Sequence, residues 1–247
     1  MAIRNVATKT KSQNTVAGTR ADGGLSVYLK RIFALMFGAV LVTALASYLT
    51  MATPLWTVLF TANGLSAVYY VLLFGGLALS IWAQVRAFSF KPSTGALMLM
   101  LYAVLTGVVM TPLLLVAITN NPLTILSAFV IAAVMFACMA LFGYKTVKDL
   151  SFMGIFLFMG MIGLILVGLA SFIWPAIVGG TFGTIVCFIG VLIFALFTAY
   201  DMQNLKRAYA VLGDGNQKNQ MAVLGALHLY ISFVAMFQYL LSLLNRN

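Results

Sequence analysis

The sequence predicts an all-α polytopic membrane protein with seven transmembrane helices, and three observations predict it. Of its 247 residues 63% are apolar and only 7% charged, against about 25% charged in an ordinary globular domain. Residues 32–85, 92–144, 150–200 and 219–245 contain no Asp, Glu, Lys or Arg. Crossing a bilayer takes about 20 apolar residues, so each of the first three blocks holds two crossings and the fourth holds one. Finally, placing seven crossings puts Arg4, Lys9, Lys11, Arg20, Lys30, Arg31, Arg86, Lys91, Lys145, Lys148, Lys206, Arg207 and Lys218 on one side and Arg246 alone on the other. Short cytoplasmic loops hold the excess of Lys and Arg, so the N-terminus is expected in the cytoplasm and the C-terminus outside.

Turn chemistry marks the break inside each long block. It runs from Thr53-Pro54 to Asn63-Gly64, then Asn120-Asn121-Pro122, then Trp174-Pro175 with Gly179-Gly180. The resulting spans are 32–51, 66–85, 95–118, 123–143, 152–171, 181–206 and 221–244. A backbone in hydrocarbon must satisfy its own hydrogen bonds, and runs of this length do so as helices. The net charge of +10 is therefore a topology signal and not a nucleic-acid footprint. A cleaved signal peptide is the rival for the first span, because Lys30-Arg31 precede an apolar run with Ala44-Leu45-Ala46, but its polar leader of 31 residues would be too long. Residues 1–24, rich in Thr, Lys, Asn and Gly, are expected to form a disordered basic cytoplasmic tail ahead of a membrane domain at 25–247. Cys138 and Cys187 fall within spans and read as packing residues. The glycines Gly154, Gly160, Gly163 and Gly168 read as close-packing positions of span five, and Pro112 as a kink in span three.

The catalytic inventory is small: one His, no Glu and four Asp, with no metal-ligand spacing or phosphate loop. Tyr200-Asp201 and Gly213-Asp214 resemble an intramembrane aspartyl protease. That resemblance fails at the second site, where Val211 stands in place of a required glycine and Asp214 lies in a polar loop beside Lys218. The chain is thus not expected to be an enzyme. Asp201 lies about 7 Å inside the interface marked by Lys206 and Arg207, His228 about 12 Å and Ser232 about 18 Å inside the start of the last span. An ionisable residue at such a depth is a functional candidate; the alternative for Asp201 is an interfacial acid satisfied by Lys206, Arg207 or Arg86. Arg86 is the expected partner, because it comes from another helix. For His228 the alternatives are a packed ring donating to a carbonyl one turn earlier and, with Asp201 across spans six and seven, a proton-sensitive pair.

Gly143-Tyr144-Lys145-Thr146-Val147-Lys148-Asp149-Leu150-Ser151, Phe158-Met159-Gly160-Met161-Ile162-Gly163, Thr198-Ala199-Tyr200-Asp201-Met202-Gln203 and Gly225-Ala226-Leu227-His228-Leu229-Tyr230 resemble, in order and spacing, successive motifs of the Bax inhibitor-1 family, and most closely its bacterial inner-membrane branch. The resemblance implies a bundle whose last helix is central, surrounded by the other six, and a pH-sensitive calcium leak regulated by two aspartates. The first aspartate maps onto Asp201, which would also be the ligand for a permeating Ca²⁺. The second falls at Ser232, in Leu229-Tyr230-Ile231-Ser232-Phe233, and a family arginine that pairs with the first falls at Gln84, with Arg86 two residues on. Ser232 cannot titrate, and Ca²⁺ normally takes 6 to 8 oxygens. Two functional classes follow: a leak channel or transporter for Ca²⁺ or protons with Asp201 at its gate, or a regulator binding other membrane proteins. The resemblance implies for the second the membrane protease FtsH or cell-death and stress factors.

Overall fold

The computed structural model describes residues 2–61, 64–212 and 215–246, with side chains from Gly24 onward apart from those of residues 175 and 176. Among the described residues seven helices are long and apolar enough to cross a membrane. They are α1 (Ala2–Ala52, whose apolar part is Gly24–Ala52), α2 (Ala67–Val85), α3 (Pro92–Asn120), α4 (Leu123–Lys145), α5 (Ser151–Ile173), α6 (Gly180–Val211) and α7 (Asn216–Leu244). The backbone of α1 thus continues helically through the polar segment for which composition predicts no fixed structure.

Local chemistry sets the helix ends. The Ser66 hydroxyl caps α2 by accepting from the Tyr69 N–H at 3.3 Å. Pro92 opens α3 at a position where its missing N–H costs nothing. The Asn121 side chain accepts from the Leu123 N–H at 3.0 Å, and Asp149 from the Ser151 N–H at 2.8 Å, turning the chain into α4 and α5. Between α1 and α2 lie a 3-10 turn, Pro54–Leu59, and a short antiparallel ribbon, β1 (Phe60–Thr61) and β2 (Gly64–Leu65). Gly64 takes φ +127°, a conformation that favours glycine. A second 3-10 turn, Pro175–Val178, joins α5 to α6. Pro112 lies inside α3, which runs unbroken past it.

The last helix is the centre. Buried residues make up 67% of the apolar stretch of α7 but 11% in α2 and in α5. The packing is not a ring of six: α1, α3, α4 and α6 flank α7 directly, while α2 leans on α3 and α5 on α6. Small residues allow the closest approaches. A Cβ on Gly107 of α3 would stand 2.5 Å from the Thr43 carbonyl oxygen of α1, and one on Gly143 of α4 would stand 2.1 Å from the Ala199 carbonyl oxygen of α6. In a bilayer, where apolar surface gives helices no preference for one another over lipid, such contact and interhelical hydrogen bonds hold the bundle.

Hydroxyls provide the bonds between α1, α3 and α7. Tyr230, fully buried, meets Thr43 with its hydroxyl 2.6 Å from Oγ1. The Thr43 hydroxyl also lies within bonding distance of the Ala39 and Ala103 carbonyls, at 2.9 and 3.1 Å, so this cluster joins α1, α3 and α7. Ser47, one turn on, reaches the Gly107 carbonyl at 2.8 Å. On the α4 side Phe233 meets Phe129 and Phe136 edge-on, with centroids 5.7 and 5.6 Å apart.

The span-five glycines divide. Gly154 packs against the Tyr200 hydroxyl and Gly160 against Ile193, but Gly163 and Gly168 have no atom within 4 Å of where a Cβ would stand. Those two are not packing positions. Gly168 instead lines a cleft between α2, α3, α5 and α7. Neither cysteine is in a disulfide; Cys187 is buried, whereas Cys138 is exposed on the outside of the bundle.

Candidate functional site

Helices α6 and α7 run antiparallel in a register fixed by shape. Gly190 accommodates the Tyr239 ring, and Gly225 accommodates Leu205, whose Cδ2 lies 2.3 Å from where a Cβ would stand. Leu205 is one turn from Asp201, and Gly225 is just under one turn from His228. The two ionisable side chains are therefore brought to one level: His228 Nδ1 lies 3.9 Å from Asp201 Oδ1, with the carboxylate side chain 12% exposed and the imidazole 35%. Among the described residues Asp201 makes no hydrogen bond, and the His228 ring is the one basic group it meets.

The other face of the imidazole meets α2. His228 Nε2 lies 3.1 Å from Gln84 Oε1, and the Gln84 amide nitrogen donates to the Ser80 carbonyl at 3.1 Å. Three helices thus contribute one side chain each to a line from Asp201 through His228 to Gln84. The ring bonds across to another helix and not to a carbonyl one turn earlier.

Arg86 does not join this line. No ion pair or hydrogen bond connects it to Asp201 among the described residues. The reason is angular: at 3.6 residues per turn, positions 84 and 86 point about 200° apart, so the face that brings Gln84 to α7 turns Arg86 away, and Arg86 is already the exposed cap beyond α2. Lys206 and Arg207 are likewise engaged elsewhere, since residues five and six positions on do not share the face of Asp201. Lys206 donates to the Tyr144 carbonyl at 3.0 Å, and Arg207 pairs with Asp149 at 2.8 Å and donates to Ser151 Oγ at 2.8 Å. With the buried Gln203, which accepts from the Leu150 N–H at 2.9 Å and donates to the Lys148 carbonyl at 2.8 Å, they staple the α4–α5 loop to α6. Hydrogen bonds from the Ser151 hydroxyl and N–H, then from Arg207, hold the Asp149 carboxyl down to about 2.

Ser232 is buried but bonds neither Asp201 nor His228 among the described residues. It sits about 6 Å along α7 from the level of the pair. Asp214, the second acid of the protease-like reading, lies outside the described residues, as does Asn63 of the first turn. Among the described residues no three His, Cys, Asp or Glu side chains cluster to hold a metal. One carboxylate and one amide oxygen, both directed at an imidazole, fall short of a Ca²⁺ cage.

A cleft of about 560 Å³ opens between α2, α3, α5 and α7 in the half of the bundle away from the basic loops, with Tyr69, Tyr102, Thr106, Gly168, Phe172 and Gln238 among its walls. It extends to Gly76 and Leu77 on α2 and Ile231 on α7, one turn short of Ser80 and His228. The polar line therefore lies just beyond its inner end.

Fold and site together define a multi-pass integral membrane protein with a titratable contact between three of its helices. A family model described as inhibitor of apoptosis-promoting Bax1 matches residues 25–247, and the chain belongs to this family. Inner membrane protein YbhL of Escherichia coli K12 is 33% identical over 222 residues, covering 88% of this chain and 91% of that one. An uncharacterized protein of Borreliella burgdorferi is 30% identical over 221 residues, 89% and 92% of the two chains. An uncharacterized membrane protein of Streptococcus pyogenes serotype M3 is 30% identical over 229 residues, 93% and 96%.

The Thr43–Tyr230 bond escaped the sequence reading, although its signal was present. Thr43, Ser47 and Thr50 form a polar stripe at near four-residue spacing on α1, opposite the small residues Ala103 and Gly107 of α3. Gln84 stood out only as the position where the family resemblance places an arginine, and nothing in its apolar surroundings showed which way it points.

Proposed function

We propose that this protein is a non-enzymatic, pH-sensitive leak pathway for protons or Ca²⁺ in a bacterial inner membrane, with its basic loops in the cytoplasm and the Asp201–His228 contact as its gate. The observation that carries this reading is a carboxylate with no hydrogen bond among the described residues, facing the protein's single histidine at 3.9 Å across two helices, next to the inner end of a cleft from the opposite side. A charge-assisted N–H···O bond is about 2.7–2.9 Å long, so a relative movement of roughly 1 Å makes or breaks the contact. Protons fit this donor set better than a resident Ca²⁺ does.

The sign follows from the charges. Ionised Asp201 attracts protonated His228 and holds α6 to α7; removing the imidazole proton leaves a carboxylate facing a lone pair and loosens them. The leak rises as pH increases through the histidine range. Proton and Ca²⁺ flux into liposomes between about pH 5 and 8, for the parent, His228→Gln and Asp201→Asn, tests this. A parent that leaks no more than Asp201→Asn supports a non-conducting regulator instead. A reporter fused after Asn247 tests the orientation, and one read in the cytoplasm overturns it.

A further inference from the structure

We propose that Gln84 is a positioning residue that fixes the tautomer of His228, so that all proton traffic at the imidazole takes place at Nδ1, on the Asp201 side. The inference deepens the gate reading and rests on His228 as its titrating group, but it does not depend on conduction.

A backbone carbonyl can only accept a hydrogen bond. Ser80 O receives the Gln84 amide N–H₂ at 3.1 Å, and this sets the amide's orientation: its oxygen must be the atom turned toward His228. That oxygen also only accepts, so the atom facing it at 3.1 Å, His228 Nε2, carries a hydrogen. A neutral imidazole has one ring hydrogen; with that hydrogen on Nε2, the Nδ1 lone pair faces Asp201. The usual arrangement of an imidazole beside a carboxylate, with Nδ1–H donating to it, is available to the neutral ring only if the Gln84 bond is given up.

Two consequences follow. In the imidazolium form both nitrogens carry hydrogens, Nε2 donating to Gln84 and Nδ1 aimed at Asp201, which a movement of roughly 1 Å brings within bonding distance. In the neutral form Nε2 still donates to Gln84, so α2 stays tied to α7 in both states, and the proton controls the α6–α7 contact alone. Asp201 from α6 is the charged group that faces the ring. From α2 Gln84 faces it and Arg86 points away; from α3 Tyr102 packs against Tyr230 at 5.8 Å. No charged side chain of α1, α4 or α5 contacts the ring among the described residues.

The chain has one histidine, so ring-¹⁵N labelling of all histidine reports this residue alone. The experiment is ¹⁵N spectroscopy of the full chain in lipid nanodiscs, titrated between about pH 5 and 8. The expected result is an Nε2 signal that stays protonated throughout and an Nδ1 signal that alone responds to pH. In Gln84→Met the neutral form shifts from Nε2–H toward Nδ1–H by about fivefold or more, the worth of one net hydrogen bond. Asp201→Asn keeps Nε2–H, and holds the test open if the Met variant does not fold. A parent whose neutral ring carries its hydrogen on Nδ1 overturns the proposal, as does an unchanged tautomer ratio in Gln84→Met. A flux assay that finds no leak overturns the gate reading and leaves this result standing.

Discussion

Two residues apart on α7, His228 and Tyr230 make polar contacts of opposite character. Tyr230 is sealed between α1 and α3, fully buried, and its hydroxyl meets Thr43 at 2.6 Å, which in turn meets two carbonyls. His228 is a third exposed, bonded on one side, and faces on the other a carboxylate 3.9 Å away that has no hydrogen bond among the described residues. Neutral hydroxyls with every bond made give a fixed joint between helices. A titratable pair left about 1 Å short of a bond gives a joint that can move, and its neutral neighbour on the same helix keeps that motion local.

The largest way to break the contrast is to spoil the fixed joint. Gly107→Leu places a Cβ 2.5 Å from the Thr43 carbonyl oxygen, which belongs to a backbone and cannot yield. The α1–α3 pair must separate, and a loss of about 3 kcal/mol or more is expected, measured as unfolding in mixed detergent micelles. Tyr230→Phe removes the hydroxyl that meets Thr43 and should cost about 1 kcal/mol in the same measurement, with the pH profile of any leak unchanged. His228→Gln gives up the bond to Gln84 but no made bond to Asp201, so it should cost about as much as Tyr230→Phe, and it should flatten the pH profile that Tyr230→Phe keeps. If Tyr230→Phe alters the pH profile, the two joints are not independent.

The smallest effect is at the basic loops. The Asp149 carboxyl is held at about 2, below the ordinary value near 3.9, so its contribution is present above about pH 4 and is lost as pH falls toward 2. Asp149→Asn should therefore lower stability slightly at neutral pH and remove that step from an acid unfolding curve. The pair is exposed, so salt should weaken it as well.

The spans could be read from the sequence because charge-free blocks record the thickness of the bilayer. Their ends could not. Hydropathy predicts 32–51, 181–206 and 221–244 for helices that run from Ala2, to Val211 and from Asn216, since a helix satisfies its backbone as well in water as in lipid and need not stop at the interface. Asp201 and His228 were legible for a related reason, as ionisable groups at depths where few occur, and counting residues inward put them near one level. Depth says nothing about azimuth, however. Choosing Arg86 as the partner ignored the turn of roughly 200° that separates it from Gln84, and treating all four span-five glycines as packing positions ignored that Gly163 and Gly168 point into open space.

The most buried helix follows the other six in the chain, and this has a consequence for biosynthesis. While a ribosome delivers the protein to the membrane, α1 and α3 can already meet through Gly107, but the position between α1, α3, α4 and α6 has no occupant until α7 emerges. The faces of α1, α3, α4 and α6 that bury α7 therefore find their protein partner last, and the bundle closes with the segment that carries both His228 and Tyr230.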